Sequence, residues 1–396
     1  MNAHAKALPF SGKSSIWNDP AFRAVLFQLL LLVGVIGFGW YIFDNTVTNL
    51  KKSGIASGFG FLNTTAGFGI VSHLIDYSEE STYGRAFLVG LLNTLLVAGF
   101  GIVFATALGI VIGIARLSSN WLVAKLAAVY IEIIRNIPLL LQIFFWYFGV
   151  LRSLPNPRQS IEIGGLAFLN LRGLYLPKPI FEPGFGLVLL ALALAVVAVI
   201  VLAYWAHRRR ERTGQPFPTL YAALGILLGL LLLAAAVSGF PLSWSYPELK
   251  GFNFQGGMVI IPEFTALLVA LSVYTAAFIA EIVRAGIQAV SHGQSEAAAA
   301  LGLRRGTALR LVVLPQALRV IVPPLTSQYL NITKNSSLAA AVAYPELVSV
   351  FAGTVLNQTG QAVEIIAITM AVYLSISLLI SLLMNWYNRK IALVER

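Results

Sequence analysis

The sequence predicts an all-α integral membrane protein with about eight transmembrane helices and both termini in the cytoplasm. Three observations carry that prediction. The 396 residues are 58% hydrophobic and 11% charged, with a mean hydropathy of +0.81. Eight apolar runs, about 22–43, 86–114, 121–151, 184–204, 219–240, 262–290, 320–345 and 363–388, are each near or above the roughly 20 residues a helix needs to cross a bilayer. With the N-terminus inside, inner segments together with the inner ends of the runs hold 17 of the 27 Lys and Arg residues and outer segments hold 8. That is the charge bias of cytoplasmic loops.

Taken in order, the first run starts near Phe22 and is too long for a signal-peptide core, so it reads as a retained helix. In the tail before it, residues 12–15 (Gly-Lys-Ser-Ser) resemble the end of a nucleotide-phosphate loop. Position 7 is Ala and no strand precedes the tetrad, so it reads as tail. Residues 44–85 form an outer segment rich in Gly, Ser, Thr and Asn, whose Phe59, Phe61, Leu62, Phe68 and Ile70 predict packing on the membrane surface. In the second run Gly101, Ala105, Gly109 and Gly113 recur every four residues. Such a small-residue ridge admits close approach of another helix.

Pro138 interrupts the third run. Residues 152–183 read as a Pro-containing outer loop. The fourth and fifth runs are Leu/Ala-rich and turn on a basic cluster, His207 to Arg212, which serves as a topology anchor. They predict an inserted, lipid-facing hairpin. Pro315, Pro323 and Pro324 at the cytoplasmic start of the seventh run predict a broken or bent helix. The chain therefore divides into residues 1–85 (tail, first helix and outer segment), 86–151 (first part of the core), 152–255 (inserted loop and hairpin) and 256–396 (second part of the core).

The inner stretch 291–319 carries four arginines and the run Ala297 to Ala300. Ser291 and Gln294 have the spacing of a capping box, alanine is the strongest helix former, and Gly302 is placed to end the helix in a left-handed turn. A second helix reads from Thr307 to Leu314, with Pro315 at the change into the next segment. Two short helices on an inner loop make a plug that needs a socket on another protein.

Charged groups inside the apolar runs are costly and pair or face a cavity. Arg135 and Asn136 fall near mid-depth, with Glu132 about 4–5 Å nearer the cytoplasm at the rise of a helix. Tyr274 and Thr275, and Thr333, Lys334, Asn335 and Ser336, fall at similar depth, with Glu281 and Arg284 further in. Two readings stand side by side. Glu132 with Arg135, Glu281 with Arg284, and Lys334 with either acid are internal pairs that join helices. Alternatively Asn136, Gln142, Tyr274, Thr333, Lys334, Asn335 and Ser336 line a translocation path.

Other chemistries are set aside. The chain has no cysteine, which removes disulfides and Cys-based metal or redox sites. Its four histidines are scattered over tails and loops, leaving neither a metal cluster nor a His-based triad. A sequence pI of about 9.9 reflects inner-loop charge rather than a nucleic-acid partner. A membrane-embedded enzyme would show acids or histidines clustered at one depth, and only Glu132 and Glu281 come near that.

Glu296, Ala297, Ala298, Gly302, Val312, Leu314 and Pro315 resemble the EAA loop of ABC importer permeases, with Val312 where isoleucine is usual. Residues 134–144 (Ile-Arg-Asn-Ile-Pro-Leu-Leu-Leu-Gln-Ile-Phe), residues 274–287 around Ala280-Glu281 and Arg284, and Lys334-Asn335-Ser336-Ser337-Leu338 resemble the signatures of polar amino-acid permeases of the histidine/glutamine type. The eight-run layout, the Gly-rich outer segment and residues 356–361 are similar to the larger branch, the general L-amino acid permeases of Gram-negative bacteria.

The resemblance implies a type I ABC importer permease fold in the bacterial inner membrane. It further implies a transport subunit without catalysis of its own, and import of L-amino acids from periplasm to cytoplasm. Its implied partners are a second permease, different in sequence, two ATPase subunits that hold the ATP and Mg, a periplasmic amino-acid-binding protein and the lipid bilayer. Glu296, Ala297, Ala298, Gly302, Arg304, Leu314 and Pro315, within the loop 291–315, are the implied ATPase-coupling residues. Arg135, Asn136, Gln142, Tyr274, Glu281, Thr333, Lys334, Asn335 and Ser336 are the candidate substrate path, lined with donors and cations beside acceptors and anions, as a carboxylate and an ammonium require. An ion-coupled secondary transporter is the alternative; it needs no cytoplasmic plug.

Overall fold

The computed structural model describes residues 19–52 and 58–391. The tetrad at 12–15, His4, and Lys6, Lys13 and Arg396 among the orienting charges lie outside the described residues. Among the described residues, seven helices are long and apolar enough to cross a membrane, and a bent helix pair taken as one span makes an eighth.

Helix α1 (Pro20–Lys52) continues well past the run that predicts it and buries none of its apolar stretch within the chain. The outer segment that follows corrects an expectation. Phe61 and Ile70 are buried with Tyr83, Val89, Leu347, Phe351 and Ile365, so the segment packs into the helix bundle rather than on the membrane surface. The reason is local. The amides of Ala66 and Gly67 donate to the carbonyls of Ser81 and Glu79 at 2.8 and 3.0 Å, which satisfies the turn's backbone internally and leaves its rings free to face helices.

Thr82 caps α2 (Tyr83–Arg116), its side chain accepting from the Arg85 amide at 3.3 Å. The small-residue ridge is buried along its whole length. It faces α7 (Pro262–Gln288, the sixth run), in the most extensive helix contact of the fold. A Cβ on Gly109 would stand 2.6 Å from the Ile279 side chain, and one on Gly113 would stand 2.7 Å from the Ala280 carbonyl oxygen. Only glycine permits this approach.

Helix α3 (Trp121–Asn136) starts at Asn120, whose Oδ1 accepts from the Leu122 and Val123 amides at 3.0 and 3.3 Å. It ends at the Ile137–Pro138 break. The chain resumes as α4 (Leu139–Phe144), which widens into a turn over Phe145–Val150, and the two limbs cross at 105°.

The outer connections are not plain loops. Strands β1 (Ile161–Ile163), β2 (Ala167–Asn170), β3 (Gly173–Leu176) and β4 (Lys178–Phe181) precede the hairpin α5 (Phe185–Thr213) and α6 (Thr219–Val237). Strands β5 (Leu242–Ser245), β6 (Glu248–Lys250), β7 (Asn253–Gln255) and β8 (Met258–Ile260) follow it. An antiparallel sheet runs β1-β2-β3-β8, while β4 pairs with β5 and β6 with β7. Strands of three or four residues are invisible to a search for long apolar runs, and pairing across the insertion is a long-range event. These strands close the outer ends of the hairpin. Of the hairpin's own residues only Ala195 and Ala206 are buried.

The inner stretch forms α8 (His292–Ala300), α9 (Arg305–Ala308), a wide turn over Leu309–Val313, and α10 (Leu314–Asn335). Helix α10 runs unbroken through Pro315, Pro323 and Pro324, which corrects the expected break. Pro315 sits in the first turn, where its missing N–H is not needed. The irregular backbone lies at either end instead: the wide turn before α10, and a tightened helix over Ser336–Val342 that ends at Ala343 with φ 59°. After a second wide turn (Val348–Val355) and the short α11 (Leu356–Thr359), α12 (Ala362–Ile391) completes the fold.

Candidate functional site

The break between α3 and α4 organises the polar residues. Pro138 has no N–H to give the Ile134 carbonyl four residues back. The Gln142 amide supplies it, donating to Ile134 O at 2.9 Å and to Ile137 O at 3.0 Å. Gln142 is buried and seals the kink, and it does not line the cavity on the other side. Asn136 donates to the Glu132 carbonyl at 2.7 Å and closes the end of α3.

On the open side of the kink, Arg116, Glu132, Arg135, Asn136, Phe278 and Glu281 line a cavity of about 390 Å³. The Arg135 guanidinium lies over the Phe278 ring, 5.0 Å from its centroid. Tyr274 packs on the same ring at 5.0 Å, one turn away along α7. Glu281 accepts from Arg284 Nε at 3.0 Å, and a second Arg284 nitrogen also reaches it, giving the expected i,i+3 pair. The Arg284 guanidinium also donates to Gln288.

The other expected pairs do not form. Among the described residues neither Glu132 with Arg135 nor Lys334 with either acid makes a salt bridge. Arg135 turns to the aromatic face instead, because the cation gains there without giving up its contact with the cavity.

The structure thus brings Arg135, Asn136 and Glu281 around one cavity, sets Tyr274 against Phe278 beside it, and holds other predicted path residues apart. Thr333 and Ser336 are fully buried, with their hydroxyls donating back to the Tyr329 and Thr333 carbonyls at 3.1 and 2.7 Å. Lys334 is exposed and Asn335 half-buried at the end of α10. Phe278 and Arg116 escaped the sequence reading. The spacing of Phe278, four residues after Tyr274 and three before Glu281 on one helix face, was the available signal.

A second polar site was also missed. Glu346 is fully buried beside the left-handed Ala343. Its carboxylate accepts from the Val348 and Ser349 amides at 2.9 and 2.7 Å and from the Tyr373 hydroxyl at 2.9 Å. Asn93 donates to the Pro345 carbonyl at 2.9 Å, and the Leu347 amide donates to Thr94 Oγ1 at 3.1 Å. This knot fastens the turn before the second wide helix to α2 and α12. A lone acid in the otherwise uncharged stretch 335–363 was its signal.

At the inner end, the predicted capping box is absent. The Ser291 side chain makes no cap bond, and the Gln294 amide donates to the Ser291 carbonyl instead. The Gln294 side chain is drawn to Gln316, whose Nε2 lies 3.4 Å from Gln294 Oε1 and also donates to Val312 O at 3.0 Å. That tie fixes α8 to the start of α10.

Gly302 adopts φ 72°. Its amide donates to Ala299 O at 2.9 Å and the Leu303 amide donates to Ala298 O at 3.1 Å, the paired bonds of a Schellman end. Of α8 only Ala298 is buried. Ala297 is exposed, and so is Glu296, held at 3.0 Å by His292 Nδ1. Arg304 and Leu314 are exposed and Pro315 half-buried. The result is a short helix standing clear of the bundle with an uncovered face.

A multi-pass bundle with a polar cavity at a helix break and a projecting inner helix defines a membrane transport component. Residues 105–393 match the family described as binding-protein-dependent transport system inner membrane component, and the chain belongs to that family. It is therefore a transport subunit of the inner membrane, not an enzyme. It is 61% identical over 378 residues, 96% of each chain, to YhdX of Escherichia coli (strain K12), provisionally named an amino-acid ABC transporter permease protein. It is 57% identical over 382 residues, 96% of this chain and 95% of the other, to AapQ of Rhizobium johnstonii, a general L-amino acid transport system permease protein. A solved amino acid ABC transporter crystallised with histidines aligns at a TM-score of 0.45 and 22% identity, covering 78% of this chain and 95% of that one.

Proposed function

We propose that this chain is one half of the membrane passage of an ATP-driven importer that carries L-amino acids from the periplasm to the cytoplasm. The observation that carries the reading is the projecting helix α8, ended by Gly302 and tied to α10 through Gln294 and Gln316. Force applied to the exposed face of α8 passes directly into a membrane helix. Glu296, Ala297, Ala298, Gly302, Arg304, Leu314 and Pro315 form that contact with an ATPase subunit. ATP and Mg are bound by the ATPase and not by this chain.

The partner set is two ATPases, a second permease of different sequence and a periplasmic amino-acid-binding protein. The names of the relatives support amino acids as the cargo. Within this chain, Arg135 and Asn136 offer donors and Glu281 an acceptor around one cavity, which suits a carboxylate and an ammonium on one small molecule. Lys334 and Asn335 stand at the open end of α10 as further donors.

Reconstitution tests the reading. The co-purified complex in proteoliposomes, with an amino-acid-binding protein outside and ATP inside, should take up amino acids and hydrolyse ATP faster when substrate is present. Uptake by the chain alone, driven by an ion gradient without ATP, would replace this reading with a secondary carrier.

A further inference from the structure

The C-terminal turn of α5, ahead of the link to α6, carries Arg208, Arg209, Arg210 and Arg212. Its one acid, Glu211, lies 3.2 Å from His207. Arg208 lies over the Tyr204 ring at 4.7 Å, and Arg209 over the rings of Trp205 and Phe217 at 5.4 and 5.7 Å. Aromatic rings capped by arginines at the end of a lipid-facing helix mark the level of the headgroups. The turn therefore sits at the membrane surface.

Arg210 faces a different neighbour. With Arg304, Gly306, Thr307, Arg310 and Leu311 it lines a cleft of about 770 Å³ between the hairpin and the coupling loop. Three guanidiniums from two segments far apart in sequence converge there, and none of them makes a salt bridge among the described residues. Among the described residues no carboxylate lines the cleft. Like charges gathered in one concavity repel, so the arrangement is stabilised by an anion, and the planar forks of arginine match phosphate oxygens.

We infer that this cleft binds the phosphate headgroup of an anionic phospholipid of the inner leaflet. A bare phosphate shares that chemistry. The lipid is favoured because the cleft's outer wall is a hairpin that buries almost nothing in protein, so acyl chains lie directly beside it. Basic clefts at the cytoplasmic ends of membrane helices hold such headgroups by this geometry. The bound lipid would join the inserted hairpin to the coupling loop. The inference rests on the membrane placement of α5 and α6; Arg304 also belongs to the proposed ATPase contact, so Arg210 and Arg310, which lie outside that contact, carry the cleft.

The test is native mass spectrometry of the full chain with the subunits that co-purify with it, titrated with phosphatidylglycerol or phosphatidylcholine. Arg210→Gln and Arg310→Gln should each weaken the tightest phosphatidylglycerol site about fivefold, the contribution of one surface cation. Arg212→Gln, in the same turn but outside the cleft, should leave that site unchanged, and phosphatidylcholine should not distinguish the variants. Equal weakening by Arg212→Gln would reduce the effect to diffuse charge and overturn the site. Displacement of the lipid by excess inorganic phosphate would make it a free-anion site. Loss of a subunit from the complex on Arg210→Gln would mean that a protein partner holds the arginines.

Discussion

The Gln142 side-chain amide lies 2.9 Å from the Ile134 carbonyl, the carbonyl that Pro138 leaves without a donor. One side chain repairs the hydrogen bond that makes the 105° break between α3 and α4 expensive. The break is what turns Arg135 and Asn136 toward the cavity. Stabilising the kink is therefore part of building the site.

Gln142→Leu keeps the volume and removes the donor. Leaving buried carbonyls unpaired costs about 1–3 kcal/mol. The thermal midpoint of the purified complex should fall accordingly. An unchanged midpoint would show that the kink holds without the amide.

Gly109→Ala places a methyl 2.6 Å from the Ile279 side chain and forces α2 away from α7. Overpacking of this kind costs about 1–3 kcal/mol, so folded yield should drop sharply. Gly99→Ala, on the same helix, meets nothing within 4 Å and should be tolerated. Gel-filtration profiles of the two variants make the comparison direct.

At Gly302 the neighbourhood is open, and a Cβ there would meet no atom within 4 Å, so the left-handed φ of 72° alone makes substitution costly. Gly302→Val should reduce ATP-driven uptake strongly, because a β-branched residue resists this conformation. Asparagine tolerates it, so Gly302→Asn should retain most transport. Equal activity of both variants would dismiss the glycine as a coupling element.

Glu346→Gln replaces a carboxylate oxygen with an NH2 that faces backbone amide donors. Leaving a buried amide donor without its acceptor costs about 1–3 kcal/mol. A lowered thermal midpoint with loss of transport should follow. Tyr373→Phe, which removes only one of the three bonds, should show a smaller shift in the same melting experiment.

Lys334→Met removes an exposed cation at the end of α10 without disturbing any described salt bridge. If the ammonium helps admit a substrate carboxylate, the transport KM should rise by about tenfold, the loss of one charged hydrogen bond. Identical KM and Vmax in a folded complex would remove Lys334 from the path.

Membrane helices were legible because their signal is long and local: twenty apolar residues, a charge bias, a ridge of small residues. Gly109 and Gly113 could be read as a contact face, and Gly302 as a left-handed helix end, from spacing alone. The strands β1–β8 were not legible, since each is three or four residues long and pairs across a distant insertion. The Ser291 capping box failed because Gln294 found a partner on α10. Thr333 and Ser336 looked like path residues by depth, but depth does not say which way a hydroxyl turns inside a helix.

Hydropathy and charge act on each segment separately, so the spans, their orientation and the motifs of the inner loop follow from the chain alone. Which polar residues share a cavity was settled by packing. Arg135 found Phe278 rather than Glu132, Gln142 withdrew into the kink, and Arg210 met Arg304 and Arg310 across a cleft. Those choices depend on rotations and close approaches between helices far apart in the chain, and no segment carries them by itself.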